Sequence, residues 1–148
     1  MAAIVETLLP MGGVLVGAAA TLLGQLVATR ERKREVDAAG EATMREERKH
    51  AILDFLDISQ QVGTIAMRRH LGDELPEDVH AKTDLMWLRQ KYIEIAGSPA
   101  LQRVTREFAD RLMTATYREV PAGIPLRQYL EEGRTPVIEA AREELGFA

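Results

Sequence analysis

The sequence predicts an all-α protein with an N-terminal transmembrane helix, a charged helical stalk and an antiparallel bundle of three to four helices. A long uncharged stretch lies near the N-terminus, and a densely charged stretch follows it. Beyond these, apolar residues recur every three or four positions, as on one face of an amphipathic helix, and no segment shows sustained two-residue alternation. We therefore divide the chain into a membrane helix over 1–29, a stalk over 30–49 and a helical domain over 50–148.

The first element is the uncharged stretch Thr7 to Thr29, which is 23 residues long. As a helix it would extend about 35 Å, enough to cross a hydrocarbon core about 30 Å thick. The first six residues contain no lysine or arginine, whereas a basic cluster follows the stretch. This cluster consists of Arg30, Arg32, Lys33 and Arg34. The positive-inside rule then predicts a single-pass protein of the plasma (inner) membrane, with its N-terminus outside and its C-terminal domain in the cytoplasm.

Two alternatives exist for this stretch. A cleaved signal peptide would fit Ala18-Ala19-Ala20 as a cleavage site, but such a peptide begins with basic residues that are missing here. A buried helix of a soluble protein is disfavoured by the length of the uncharged run and by the abrupt basic cluster behind it.

Small residues on one face of the span form a candidate packing surface. Gly13 and Gly17 make a G-x-x-x-G pair, Thr21 extends it by one further step, and Gly24 adds another small residue. Such residues permit close contact between membrane helices, so we predict that this face packs against another helix. The alternative is that glycine is frequent in membrane helices and the spacing arose by chance.

The stalk carries opposite charges at helical spacing, such as Glu31 with Arg34 and Glu41 with Arg45. A helix that is polar all round is solvated or serves as a connector, and Gly40 would be its weak point. The basic cluster either binds anionic lipid headgroups or acts only as a topology signal. The second interpretation is favoured because acidic residues interrupt the cluster.

The domain over 50–148 shows four helical segments. The first ends near Leu71-Gly72, the second runs from about Pro76 to Gly97, and the third begins at Ser98-Pro99, a typical N-cap followed by proline. A short helix over 126–132 and a final helix starting at Thr135-Pro136 complete the chain. The predicted core-facing residues are Ala51, Phe55, Ile58, Val62 and Ile65; Ala81, Leu85, Leu88, Tyr92 and Ile95; Leu101, Val104, Phe108, Leu112 and Ala115; and Val137, Ile138, Ala141 and Leu145.

No constellation of catalytic or metal-binding residues emerges. The chain has no cysteine, and its histidines, His50, His70 and His80, lack the spacing of helical metal ligands, so no catalytic, cofactor or metal site is predicted. Asp54 and Asp57 lie one turn apart, which an exposed polar face explains. A net charge of −4 disfavours nucleic acid as a partner. Trp87 is either an anchor for a protein partner or, as we favour, the edge of the core.

The passage YIEIAGSPALQRVTREFADRL, the C-terminal EAAREELGF and the flank TRERKRE together resemble small bacterial single-pass membrane proteins with a Gly/Ala-rich N-terminal span, an Arg/Glu-rich flank and cytoplasmic helices. This resemblance implies a membrane location and cytosolic helices, and it carries over no active site. We expect a membrane-anchored, non-enzymatic helical module for protein–protein interaction or self-assembly, whose partners are the lipid bilayer and either further copies of itself or another protein. A holin-like or defence-associated effector that permeabilises membranes is the alternative, and an enzyme with an unfamiliar helical site is least supported.

Overall fold

The computed structural model describes the backbone of residues 2–147 and the side chains of residues 21–147. Four α-helices account for most of this range: α1 (Ala2–His70), α2 (Val79–Ala96), α3 (Pro99–Tyr117) and α4 (Leu126–Glu144). The described residues contain no β-strand, which confirms the predicted all-α class. The chain divides into two compact units, Met1–Thr43 and Met44–Ala148.

The first unit consists of α1 alone, and its described side chains are exposed. Leu22, Leu23, Leu26 and Val27 are each 55–63% exposed. The basic residues of the predicted topology signal are exposed as well, and the backbone stays helical through Gly40. Among the described residues, we found no helical stretch with both the length and the hydropathy that crossing a bilayer requires.

The small-residue face predicted for the span is described only in part. Gly13 and Gly17 lie outside the residues whose side chains are described. Thr21 and Gly24 are exposed, and a Cβ atom added at Gly24 would meet no atom within 4 Å. Within the described part of the unit, this face therefore has room for a neighbouring helix.

In the second unit, α1 and α3 form the centre of the core. Phe55 of α1 is fully buried and meets Phe108 of α3 edge to face, with ring centroids 6.4 Å apart. All five residues that the sequence predicted as the core side of α3 are buried, as are Phe55, Ile58 and Val62 of α1. Both predictions are confirmed, because each helix concentrates its large apolar residues on one side.

The helix ends largely follow the predicted signals. Gly72, just past the end of α1, adopts a φ of +102°, a conformation that side-chain-bearing residues rarely take. Ser98 caps α3 by accepting a hydrogen bond at Oγ from the Leu101 N–H, 3.3 Å away. Helix α2 begins at Val79 instead of Pro76, because the residues between them form a turn in which the Val79 N–H donates to the Pro76 carbonyl at 3.1 Å.

The predicted core side of α2 is wrong. Every residue assigned to it is exposed: Ala81, Leu85, Leu88, Tyr92 and Ile95. The helix instead buries Val79, Thr83, Met86, Gln90 and Ile93. Its orientation is reversed because both sides of α2 carry large apolar residues, so the periodicity of one side does not decide which side faces the core.

The predicted division of the C-terminal segment into two helices is also wrong. Helix α4 runs unbroken through Thr135 and contains Pro136 in its interior, at the cost of one backbone hydrogen bond. Burial on both sides of the proline holds the helix together, since Leu126 and Val137 are both buried against neighbouring helices.

Close packing of α3 and α4 depends on Gly133. A Cβ atom there would lie 2.7 Å from Arg111 Cδ and 2.9 Å from Phe108 Cδ2, well inside van der Waals contact. Arg111 spans the same contact by donating to the Tyr129 carbonyl at 2.9 Å.

Candidate interaction surfaces

The most distinctive surface of the second unit is the exposed side of α2, which we call the outer stripe and define as Ala81, Leu85, Leu88, Tyr92 and Ile95. Ile95 is 83% exposed, and Leu88 and Tyr92 are each nearly half exposed. Their spacing of four, three, four and three residues places all five on one side of the helix. Apolar residues exposed in series on one helix side are typical of an interaction surface.

The inner side of α2 is held by polar contacts. Gln90 is fully buried and donates from Nε2 to Glu94 Oε1 at 3.1 Å. The Arg106 guanidinium of α3 binds the same carboxylate, and Lys91 Nζ lies 2.8 Å from its other oxygen. These hydrogen bonds, first that from Arg106 and then those from Lys91 and Gln90, lower the pKa of Glu94 to about 2. The carboxylate therefore stays charged and ties α2 to α3.

A second polar cluster fixes the N-terminal half of α2. The His80 and Tyr117 rings stack with centroids 5.5 Å apart, and the Tyr117 hydroxyl lies 3.1 Å from His80 Nδ1. The same hydroxyl is 3.2 Å from Oγ1 of the buried Thr83. Thr83 thus has a partner on α3, whereas the partner of Gln90 lies on α2 itself.

Charged residues flank the outer stripe. On one edge, Arg89 lies 3.5 Å from Asp54 of α1, and its guanidinium carbon is 5.8 Å from the centre of the Tyr92 ring. On the other edge are Lys91 and Asp84, and Asp84 makes no hydrogen bond or ion pair with any residue whose side chain is described. One edge is therefore neutralised within the chain, and the other presents a free carboxylate.

A groove between α1 and α4, which we call the α1–α4 groove, is a second surface. It has a volume of about 530 Å³ and a floor formed by Phe108 and Leu112 of α3. Its walls combine apolar side chains, Leu56 and Met67 on α1 and Leu130 on α4, with polar ones such as Gln60 and Thr64. The groove is open to solvent along its length, between residues that the sequence places far apart.

The polar rim of the α1–α4 groove is basic. Arg68, Arg127 and Arg134 line it, against one acidic residue, Glu131. Arg134 lies 3.6 Å from Glu131, and Arg68 lies 3.1 Å from Asp73. Arg127 makes no ion pair or hydrogen bond within residues 21–147. The groove thus carries an excess of positive charge on a chain whose net charge is −4.

Two small residues shape the α1 wall of the groove. A Cβ atom at Gly63 would meet only Leu112 Cδ2, at an ordinary 3.6 Å. The hydroxyl of Ser59 is buried and has no hydrogen-bond partner among the described residues. Gly63 is therefore the position where a larger side chain would fill the groove without pressing on backbone.

The other residues considered from the sequence do not come together as a site. Asp54 pairs with Arg89 while Asp57 accepts from Gln61 Nε2 at 3.0 Å, so the two carboxylates have separate partners. Trp87 is half-buried and packs against the core. In the described range, no three histidine, aspartate or glutamate side chains are placed to hold a metal ion.

Sequence reasoning missed both surfaces. The residues of the outer stripe were recognised but assigned to the core, and a signal for their exposure existed, since Met86 and Ile93 give the opposite side of α2 a comparable apolar character. The groove had no sequence signal, because its arginines are scattered over two helices. Comparisons with protein-family models, with curated proteins and with solved structures gave no match.

Proposed function

We propose that the protein is a membrane-anchored, non-enzymatic helical module that self-assembles at the cytoplasmic face of the membrane through the outer stripe of α2. The observation that carries this proposal is the exposure of five apolar residues in series on one helix, on a domain whose core is already complete without them. Water around such a side is unfavourable, and covering it with a second copy would remove the cost.

The anchoring part of the proposal rests on the N-terminal region. Thr7 to Thr29 contains no charged residue, and the basic cluster that begins at Arg30 follows directly. Four large apolar side chains of its described part, Leu22, Leu23, Leu26 and Val27, are more than half exposed. Lipid or neighbouring helices would cover these side chains, and the small-residue face of Gly13, Gly17, Thr21 and Gly24 would suit the second kind of contact.

The outer stripe is suited to pairing with itself. Ala81 and Ile95 each lie seven residues from Leu88, so an antiparallel pairing on a two-fold axis at Leu88 sets Ala81 opposite Ile95 of the second copy. The same pairing sets the unpartnered Asp84 opposite Tyr92 of the second copy, one residue or about 1.5 Å along the helix from Lys91, twice per dimer. Lys91 can take this partner because Glu94 keeps its contacts to Arg106 and Gln90. Charge and apolar pattern thus favour the same arrangement.

The size of the stripe indicates a weak dimer in solution. Stable interfaces involve about 20–30 residues and about 800 Å² on each partner, whereas the stripe has five residues. Confinement of two copies to one membrane raises their effective concentration and offsets this deficit. Self-assembly would therefore depend on anchoring, as expected of a module that works at the membrane.

Cysteine cross-linking tests the pairing directly, because the chain has no cysteine. The full chain is reconstituted into vesicles, with Ala81→Cys in one copy and Ile95→Cys in a size-tagged copy, and then oxidised. We expect a mixed disulfide between the two copies and little cross-linking of Ile95→Cys with itself. Strong self-linking of Ile95→Cys would overturn the antiparallel arrangement, and no cross-link at any of these positions would overturn the interface.

A charge substitution distinguishes association through the outer stripe from nonspecific hydrophobic association. Leu88→Glu should abolish dimers of the reconstituted chain, measured by energy transfer between labelled copies. The matched control is Leu53→Glu on α1, which is likewise about half exposed but lies outside the stripe. Equal effects of the two variants would contradict the proposal. Recovery of the full chain as a soluble monomer without detergent would contradict its anchoring.

A further inference from the structure

We propose that the α1–α4 groove binds a single-chain anionic amphiphile, with the acyl chain on the apolar floor and a carboxylate or phosphate headgroup at Arg127. This site is separate from the outer stripe, and its ligand is independent of self-assembly.

The shape of the groove fits a small ligand. Its volume of about 530 Å³ lies within the range of about 300–1,000 Å³ typical of small-molecule sites. Two turns of a helix with side chains, about 10 Å across and about 11 Å long, would occupy roughly 850 Å³. The groove would therefore accept only part of a peptide helix.

The lining matches the two ends of such a ligand. Leu56, Met67 and Leu130, above the floor of Phe108 and Leu112, provide an apolar channel for a hydrocarbon chain. Apolar contact of this kind contributes about 0.8 kcal/mol for each buried CH₂ group. A cationic or neutral amphiphile would gain the same contribution, so the rim must decide which headgroup is preferred.

The charges of the rim select an anion. Leu126 clusters with Ala66, which brings the start of α4 to the C-terminal part of α1 and sets Arg127 at the same end of the groove as Arg68. Arg68 already has Asp73 as partner, whereas Arg127 makes no ion pair or hydrogen bond with the described residues. A guanidinium without a partner beside an apolar channel is suited to bidentate binding of a carboxylate or phosphate.

A displacement experiment tests this site in the full chain, reconstituted into nanodiscs of zwitterionic lipid. The probe is 11-(dansylamino)undecanoic acid, and its signal in empty nanodiscs is subtracted. We expect saturable binding that dodecanoate and dodecyl phosphate displace and that dodecyltrimethylammonium does not. The stronger of the two anions identifies the headgroup. Equal displacement by the cation would overturn the proposal, as would tighter binding of a 14-residue Glu/Leu amphipathic peptide than of either anion.

Matched variants locate the binding. Arg127→Gln should weaken probe binding at least tenfold, the loss expected of one charge-assisted hydrogen bond. Arg103→Gln, on an exposed arginine of α3 paired with Glu107, should leave binding unchanged. Gly63→Phe should abolish binding by filling the groove, whereas Gly63→Ala should retain it.

The outcomes separate this proposal from self-assembly. Each variant is checked for folding by far-ultraviolet circular dichroism and for dimers by the cross-link described above. Folded Gly63→Phe that still binds the probe would overturn the groove as the site. If Arg127→Gln lost probe binding but still formed the cross-link, the result would support the groove as a binding site that is independent of self-assembly.

Discussion

Two glycines in the bundle should respond differently to the same substitution. Gly63 on α1 and Gly133 on α4 both lie in helices, so replacing either by alanine gains about 1 kcal/mol of helix propensity. Their surroundings differ. A Cβ at Gly63 touches one side-chain atom at 3.6 Å, whereas a Cβ at Gly133 would lie 2.7 and 2.9 Å from Arg111 and Phe108.

The size of the effect follows from this difference. Overpacking a core contact costs about 1–3 kcal/mol, and neither neighbour of Gly133 moves freely. Phe108 is buried, and Arg111 is tied to the Tyr129 carbonyl at 2.9 Å with its guanidinium 4.8 Å from the centre of the Tyr129 ring. Gly63→Ala should therefore stabilise the bundle by about 1 kcal/mol. Gly133→Ala should be less stable than Gly63→Ala by about 1–3 kcal/mol, since the propensity gain is common to both.

Urea unfolding measures this difference. The full chain is unfolded in one detergent, and the single tryptophan, Trp87, reports on the bundle through its fluorescence. Circular dichroism under the same conditions checks that the two signals change together, as a two-state transition requires. If Gly133→Ala unfolded at the same or a higher urea concentration than Gly63→Ala, the close approach of α3 and α4 at Gly133 would be refuted.

Three further outcomes are expected from the helix ends and the polar contacts. The pKa of Glu94 is lowered to about 2, mainly by the hydrogen bond from Arg106, so the stabilisation by this carboxylate is complete above about pH 4.5 and is lost as the pH falls towards 2. In Glu94→Gln, the free energy of unfolding should therefore fall less steeply between about pH 4.5 and 2 than in the unsubstituted protein. Ser98→Ala should destabilise the bundle by about 1 kcal/mol by removing the cap of α3, a loss that urea unfolding would detect and that Ser98→Asp should largely restore. Pro136→Ala should stabilise it by about 1–3 kcal/mol by returning a backbone donor to α4, and a lower melting temperature would contradict this expectation.

The sequence was sufficient for α1 and α3 of the bundle. Each carries most of its large apolar residues on one side, as Phe55 and Phe108 illustrate, and that side therefore faces the core. The N-cap at Ser98 was readable for a similar reason, because a serine followed by proline satisfies the first turn locally. Features that depend on neighbouring residues in the sequence, such as this cap, were therefore predicted correctly.

The same motifs failed where tertiary contacts decide. Thr135-Pro136 has the same form as Ser98-Pro99, yet it lies inside α4, where burial around Gly133 and Val137 outweighs the lost hydrogen bond. The orientation of α2 could not be read because its two sides are alike in apolar content. The α1–α4 groove was unpredictable because Arg68 and Arg127 line the same groove only once the bundle has formed.

The likeness of the two sides of α2 has a consequence for how the fold is specified. If the helix were turned by half a turn about its own axis, the outer stripe would become buried in place of the inner apolar residues, and the buried apolar area would change little. What distinguishes the native rotation is a pair of polar contacts to α3, between Thr83 and Tyr117 and between Glu94 and Arg106, which turning the helix would break. In this helix a few polar contacts therefore determine the rotation, whereas apolar contacts stabilise the packing without determining the rotation.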